Sequence, residues 1–351
     1  MKQPNEQSVA DRIASLEAEI AEKKIKLPPD IFKYVAEHIS AVNRILEEGR
    51  MPTEKDMEFM EHVRAWLNMS EEDRQELPSM ENLLSNPVYK ESKKRNLSVQ
   101  QWKDVLAIAE HLGKNIKWID DFFIFTIFPG LICTKGDLIL ENYPHSRLPE
   151  NLKVAGSFTL TNSPVEKLPN RFGVAGDFKM SHCSKIRNFP PGFCTKEIPV
   201  QHVDINYCDS FEELPEGFLA YSLNLDMLPI KKLPVDFKVQ NFAFIQRCDL
   251  NEIPDNENGA KFVGDFIHLG DCPHLSKLPK AIECKQITIV NCPSLKKLPD
   301  SIHVSKFDMP DSDYVEDLPN DFVVEHEITL SPSLEKKFKD KLEIIRKNQF
   351  Q

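Results

Sequence analysis

Eight cysteines are the residues of this chain most readily put to chemical use. Thiols distributed through a sequence can pair as disulfides or gather around zinc. No Cys-x-x-Cys pair occurs, and Cys183, Cys208, Cys272 and Cys292 stand twenty residues or more apart. Cys208-Asp209 and Cys248-Asp249 place a carboxylate beside a thiol, an arrangement that activates nothing if burial raises the thiol pKa. Asp311-Ser312-Asp313 resembles the start of a calcium loop but lacks the Gly and the terminal Glu that complete one, so it reads as a turn. The ten histidines are scattered. Phosphate-binding loops, Gly-x-Gly-x-x-Gly, His-Glu-x-x-His and Gly-x-Ser-x-Gly are all absent. The expectation is a chain without catalytic residues, metal or cofactor. Asn68-Met69-Ser70 and Asn96-Leu97-Ser98 match glycosylation sequons, but no charged-then-apolar leader opens the chain to put them in a secretory context.

A period explains the cysteines better. Leu-Pro or a close variant recurs at Phe128-Pro129, Leu148-Pro149, Leu168-Pro169, Phe189-Pro190, Leu214-Pro215, Leu233-Pro234, Ile253-Pro254, Leu278-Pro279, Leu298-Pro299 and Leu318-Pro319, at intervals of 19 to 25 residues. Between these marks runs a second phrase, apolar-x-apolar-x-x-Cys-x-x-apolar-x-x-Leu-Pro. Ile287, Ile289, Cys292, Leu295 and Leu298 show it. So do Ile267, Leu269, Cys272, Leu275 and Leu278; Val203, Ile205, Cys208, Phe211 and Leu214; and Phe178, Met180, Cys183, Ile186 and Phe189. A fixed period in the twenties signals a solenoid of stacked coils. The four cysteines then occupy one repeat position, where a small buried side chain with a weak donor fits an inner corner. Reduced, packed thiols point to a reducing compartment. Gly136, Gly156 and Gly176 recur at one offset and read as tight returns. In the coil near Phe242 the register stays open. Phe242 and Phe244 keep the nine-residue step to Ile253 and put Arg247 on the ladder, whereas Ala243 and Ile245 would put Cys248 there.

This pattern over Ile116–Leu330 resembles the leucine-rich repeat in its Asn/Cys-bearing form. The Leu-Pro punctuation is similar to the short repeats of bacterial proteins, including the repeat region of injected effector E3 ubiquitin ligases. The resemblance implies an α/β repeat solenoid (leucine-rich repeat) of about ten coils, with a parallel sheet on its concave side. Those ligases carry their catalytic Cys in a large domain after the repeats; here a helix follows them, so ligase activity is not expected.

The elements around the repeats complete the layout. Residues 1–114 read as an N-terminal all-α domain. Helical spacing runs through Val9–Ile20, Ile31–Leu46 and Met57–Leu67, a short helix starts at Ser70, and Glu81–Asn96 is polar loop with one turn of helix at most. Ser98 caps a helix through Trp102, Val105 and Ala109 that ends at Gly113. This domain reads as a cap on the solenoid, as a cap that also binds a partner, or as a separate activity. Ile116–Phe128, with Ile119, Phe122, Phe125 and Phe128 three apart, reads as a degenerate first coil within a repeat region spanning 115–332. Longer intervals at 190–207 and 254–270 must bulge as loops, and residues 255–259 have turn composition. Residues 333–351 read as a C-terminal capping helix with Leu334, Phe338, Leu342 and Ile345 on one face.

Net charge of −11 argues against nonspecific nucleic-acid binding, which needs clustered Lys and Arg. The longest apolar run, Phe122–Cys133, is too short to span a bilayer, so no membrane insertion is expected. In each coil the residue between the paired apolar positions faces outward. That column holds Thr159, Lys179, Asp204, Asn224, His268, Thr288 and Asp308; the column before it holds Ser157, Asp177, His202, Ser222, Phe266, Gln286 and Lys306. Varied polar residues beside uniform apolar ones suit an open surface that binds a protein partner. The reading is a non-catalytic protein-protein interaction module, an effector or adaptor, cytoplasmic or delivered to a host cell without a classical signal peptide. The alternatives are an intracellular scaffold or inhibitor of a basic partner, and an enzyme with its active site in the helical domain.

Overall fold

The computed structural model describes residues 85–348, apart from 127, 236 and 256–261, together with 18, 42, 44, 45 and 48. The helices expected before residue 80, and most of the turn at 255–259, lie outside the described residues. The chain divides into two compact units, Met1–Lys103 with Phe125–Gly130, and Asp104–Ile124 with Leu131–Gln351.

In the first unit, helix α1 (Pro87–Lys94) replaces the polar loop expected there. Its start is specified locally. Asn86 accepts hydrogen bonds from the backbone N–H groups of Val88 and Tyr89 at 2.8 and 3.1 Å, and Pro87 occupies the first helical position. Helix α2 (Val99–His111) begins as expected, with a reciprocal capping box. Gln101 N–H donates to Ser98 Oγ at 3.1 Å, and Ser98 N–H donates to Gln101 Oε1 at 3.2 Å. Within this unit Trp102 is fully buried, with the Arg95 guanidinium 4.2 Å from its ring and Phe125 edge-on at 6.3 Å.

The second unit carries the solenoid. Ten strands lie side by side in one parallel sheet, joined by nine turns: β3 (Leu138–Glu141), β5 (Phe158–Thr161), β7 (Phe178–Ser181), β8 (Val200–Asn206), β9 (Leu219–Asp226), β11 (Phe242–Gln246), β12 (Phe262–Gly270), β13 (Ala281–Val290), β14 (Ser301–Met309) and β15 (Asp321–Leu330). The short β10 (Lys238–Val239) joins β9 beside this path. A smaller sheet holds β1 (Phe123–Phe125), β2 (Ile132–Thr134), β4 (Leu152–Val154) and β6 (Gly173–Val174). The parallel register is the sequence period made physical: Leu138, Phe158, Phe178, Val203, Leu223, Ala243, Ile267, Ile287, Phe307 and Ile328 are successive partners. Alternation buries this column, except Ile328 on the last strand, and the one two residues on. Rings stack behind it: Phe178 meets Phe158, Phe172, Phe189 and Phe193 at 5.3 to 6.3 Å. The longer interval after Pro190 supplies Phe193 to this cluster, folding back through a bridge between Phe193 and Ile198.

The cysteine ladder stands where the repeat placed it. Cys183, Cys208, Cys272 and Cys292 are buried, and Cys248 joins them. The open register near Phe242 is thereby settled: Ala243, Ile245 and Cys248 point inward, and Phe242 and Arg247 outward. The thiols of Cys183, Cys208, Cys248 and Cys292 each reach a carbonyl of the preceding coil, those of Leu160, Met180, Leu225 and Leu269, at 3.6 to 3.9 Å. The residue before each inner corner turns left-handed. Asn142, Asn162, His182, Tyr207, Met227, Arg247, Asp271 and Asn291 all have φ between 47° and 56°. Asn and Asp tolerate that region best. Three glycines precede the first strands, and close approach rather than φ explains two of them. A Cβ on Gly156 would stand 2.6 Å from the Asp137 backbone nitrogen and 2.8 Å from the Gly136 carbonyl carbon, whereas one on Gly136 would meet nothing within 4 Å. Gly156→Ala should therefore lower stability by ~1–3 kcal/mol through backbone displacement. Gly136→Ala should leave it nearly unchanged, as compared by urea unfolding.

Two expectations need correction. Ile116–Phe122 is helix α3 rather than part of a strand-bearing coil, capped by Asn115, whose Oδ1 accepts from Trp118 N–H at 3.0 Å. Apolar residues three apart also fit a helix face, and the cap decides between the two periods. Phe128, aligned with buried Leu148, is 65% exposed. Within the second unit, residues 104–124 cover the first coil: His111 lies edge-on to buried Tyr143 at 5.3 Å, and Lys135 N–H donates to the Phe122 carbonyl at 2.9 Å. At the other end the single helix expected is two, α4 (Pro332–Lys337) and α5 (Lys339–Asn348), broken at Phe338. Leu334, Phe338 and Leu342 are buried, and both helices touch β15.

Candidate functional site

The outward face of the ten-stranded path is built by the same alternation that fills the core. Of the residues expected there, Lys179, Phe266 and Lys306 are exposed. Ser157, Thr159, Asp177, His202, Asp204, Asn224, His268, Gln286, Thr288 and Asp308 are half-buried, shoulder to shoulder. Ser222 departs from expectation: it is 1% exposed. The neighbouring rings explain this. Ser222 pairs with His202 on β8, and Phe242 follows in the same column on β11. The His202 and Phe242 rings are 6.4 Å apart, closer than two strand spacings of ~4.8 Å each, so they lean together over the serine. Its Oγ has no hydrogen-bond partner.

The centre of the face is aromatic. Phe242 pairs with Phe266, and Phe244 with His268, on adjacent strands. The Phe244 and His268 rings stack at 4.2 Å with 7° between their planes. His202 and Tyr221 extend the cluster, 5.6 Å apart and edge-on. Phe242, Phe266 and Tyr221 are 39%, 46% and 48% exposed. Burial lowers the His268 pKa, with Asp271 opposing, so the ring is neutral near pH 7. Gly270 makes room for it: a Cβ there would stand 2.7 Å from His268 Nε2.

Polar residues frame the rings. Asp204 Oδ1 accepts from Asn206 Nδ2 at 2.7 Å and from Asn224 Nδ2 at 2.8 Å. Gln286 Nε2 donates to Asp308 Oδ2 at 2.9 Å. Lys306 donates to Glu327 at 2.7 Å, a bond that holds the ammonium above and the carboxyl below their ordinary pKa values. A column missed from sequence, Thr161, Ser181, Asn206, Asp226 and Gln246, extends the face by one row. Beyond it lie the left-handed residues, which pair between coils. Asn162 donates to Asn142 and Asn291 to Asp271, both at 2.7 Å. His182 stacks on Tyr207 at 4.9 Å, and Arg247 forks onto Asp226 with its guanidinium 5.9 Å from the Tyr207 ring. The sequence signal for that column was available: Asn, Asp or His often stands just before the Cys position.

Elsewhere a groove lined by Glu213, Glu216, Lys232, Leu233 and Glu252 opens at the Leu-Pro turns. Among the described residues no group of three or more His, Cys, Asp or Glu could hold a metal ion, and no helix is long and apolar enough to cross a membrane. No protein-family model matches the chain, and no curated protein does. The leucine-rich-repeat reading stands on the parallel ladder, the buried Cys column and the Leu-Pro period of this chain itself. Among solved structures, the chain is similar to the leucine-rich repeat domain of the type III effector XopL, at 16% identity over 78% of this chain and 90% of that one, with a TM-score of 0.48.

Proposed function

We propose that this chain is a non-catalytic protein-binding module whose partner docks on the outward, concave face of the repeat sheet. The aromatic cluster carries this reading. Phe242, Phe244, Phe266 and His268 form a two-by-two square on β11 and β12, with Tyr221 and His202 beside it. Solvent does not require a patch of large rings on an open sheet, and Thr or Lys would serve as well there. Rigid amphipathic rings in a polar frame are the composition of a binding hot spot. The surface is extended across several strands, with Phe242, Phe266 and Tyr221 open to solvent, which favours a protein over a small molecule. Its acidic net charge favours a basic partner. Asp177, Lys179, Gln286, Thr288, Lys306 and Asp308 would form the rim.

The test compares captures from one lysate by three chains. Phe242→Ser with Phe266→Ser should lose a partner that the unmodified chain and Val323→Ser, altered at an exposed residue of β15, both retain. A loss of at least a hundredfold in affinity is expected for the double variant, since each hot-spot ring contributes about 2 kcal/mol or more. Retention of the partner by the double variant would overturn the reading.

A further inference from the structure

Three exposed rings stand on three successive strands of the outward face: Tyr221 on β9, Phe242 on β11 and Phe266 on β12. Phe244 and His268, two residues further along β11 and β12, stack on each other beside this row. Neighbouring strands lie ~4.8 Å apart, so the row crosses the strands in steps of that size. The backbone beneath it has no free edge. β9 pairs with β8 and β11, β11 with β9 and β12, and β12 with β11 and β13. The side chains of Phe242, Phe244 and Phe266 carry no hydrogen-bonding atom.

A partner segment lying on these rings must therefore satisfy its own backbone. An extended segment leaves N–H and C=O groups against the rings with no strand edge to pair with, and buried unpaired groups are costly. A helix keeps its backbone bonds inside itself and presents only side chains. Its pitch also suits the row. One turn advances ~5.4 Å, against ~4.8 Å from strand to strand, so successive turns fall on successive strands and drift by only about 1 Å over the three rings. A helix laid along β11 instead would follow Phe242 and Phe244 and leave Tyr221 and Phe266 at its sides.

We propose that the partner docks an amphipathic helix across the strands, with apolar side chains from three successive turns seated on Tyr221, Phe242 and Phe266. This rests on the reading of the face as a protein-binding surface. Apolar residues at i, i+4 and i+7 share one side of such a helix and supply the three contacts.

The test uses two phage-displayed libraries selected on the immobilised full-length chain, with the chain carrying both Phe242→Ser and Phe266→Ser as counter-selection. One is a helix of about twenty residues in an Ala/Gln/Lys background, long enough to form alone, with the positions on one side randomised. Its flanks carry lysine rather than glutamate to suit a chain of net charge −11. The other library carries the same randomised residues in a background interrupted by proline, which breaks the helix. Binders should come from the helical library. A synthetic peptide from that pool should weaken at least tenfold when a central flank residue becomes proline, and at least tenfold on the Tyr221→Ser chain. Val323→Ser, on β15, should leave affinity unchanged. If neither library yields peptides that need the two phenylalanines, the protein-binding reading fails and the helix falls with it. If such peptides come equally or mainly from the proline-interrupted library, tolerate the central proline, or are indifferent to Tyr221→Ser, the face stands and the helix proposal is overturned.

Discussion

Replacing Phe178 with alanine is expected to lower the stability of the solenoid by about 3–5 kcal/mol, the range for deleting a fully buried ring. Phe178 belongs to the inward column of β7 and is fully buried. Its ring meets Phe158 behind it, Phe172 and Phe193 across the coil, and Phe189 before the Leu-Pro turn. Four rings around one side chain cannot collapse into the space together, so much of the cavity would persist. Phe242→Ala, one column away but facing outward, should change stability by less than ~0.5 kcal/mol. The loss should also be local. Each coil touches only its neighbours, so stability is a sum of coil and interface contributions. Hydrogen exchange should accelerate in β5, β7 and β8 before it does in β13 to β15. Uniform acceleration across all ten strands would contradict the nearest-neighbour picture, and a shift of the urea midpoint no larger than that of Phe242→Ala would contradict the packing argument.

The sequence carries the fold because every coil repeats the same two constraints. One is alternation in a parallel strand; the other is a small side chain at the inner corner. A single copy is ambiguous, and the register of many copies is not. The coil at Phe242 shows the limit. Phe is the better apolar residue at either offset, so local hydrophobicity favoured the wrong register, and only the neighbours' pairing sends Ala243 and Ile245 inward. The same ambiguity hid the aromatic square, since Phe242 and Phe244 could not be assigned to the open face until the slip was resolved. Ser222 was misplaced for another reason. Its column faces outward, but exposure depends on neighbours two strands apart, whose rings close over it. Ile116–Phe122 was misread because residues three apart serve either a helix or a coil, and Asn115 settles the choice through a bond invisible to spacing. The unpartnered amide oxygen of Asn224 was beyond sequence altogether, being a property of which way the amide turns.

Cys248, in the cysteine ladder, should make the protein lose stability in alkali. Burial pushes the Cys248 thiol up to about 12 from an ordinary 9.0. In the two hydrogen-bonded thiol pairs the shifts oppose one another, Cys208 raised with Cys183 lowered and Cys272 raised with Cys292 lowered, whereas burial alone raises Cys194 as it raises Cys248. In the unfolded chain these thiols ionise near 9, so between that pH and 12 the folded state holds protons the unfolded state has released. Folding stability is then complete below 9 and declines as pH rises, by about 1.4 kcal/mol per pH unit for each such thiol. From pH 8 to 10.5, Cys248 alone should account for about 2 kcal/mol, from the 1.5 units lying above 9.0. Lysines and tyrosines titrate in the same range, so the comparison is with Cys248→Ala, whose urea stability should fall by about 2 kcal/mol less over that interval. The same burial predicts labelling behaviour at pH 8: Cys183, Cys208, Cys272 and Cys292 should resist alkylation until the coils open. Rapid labelling of the native chain at all four would mean that the corner thiols meet solvent. Equal alkaline losses in the unmodified and Cys248→Ala chains would mean that Cys248 ionises as freely folded as unfolded. Structural thiols at the corners therefore leave a measurable signature, distinct from that of a reactive cysteine, which needs solvent access as well as a thiolate and whose labelling would be fastest in the folded state.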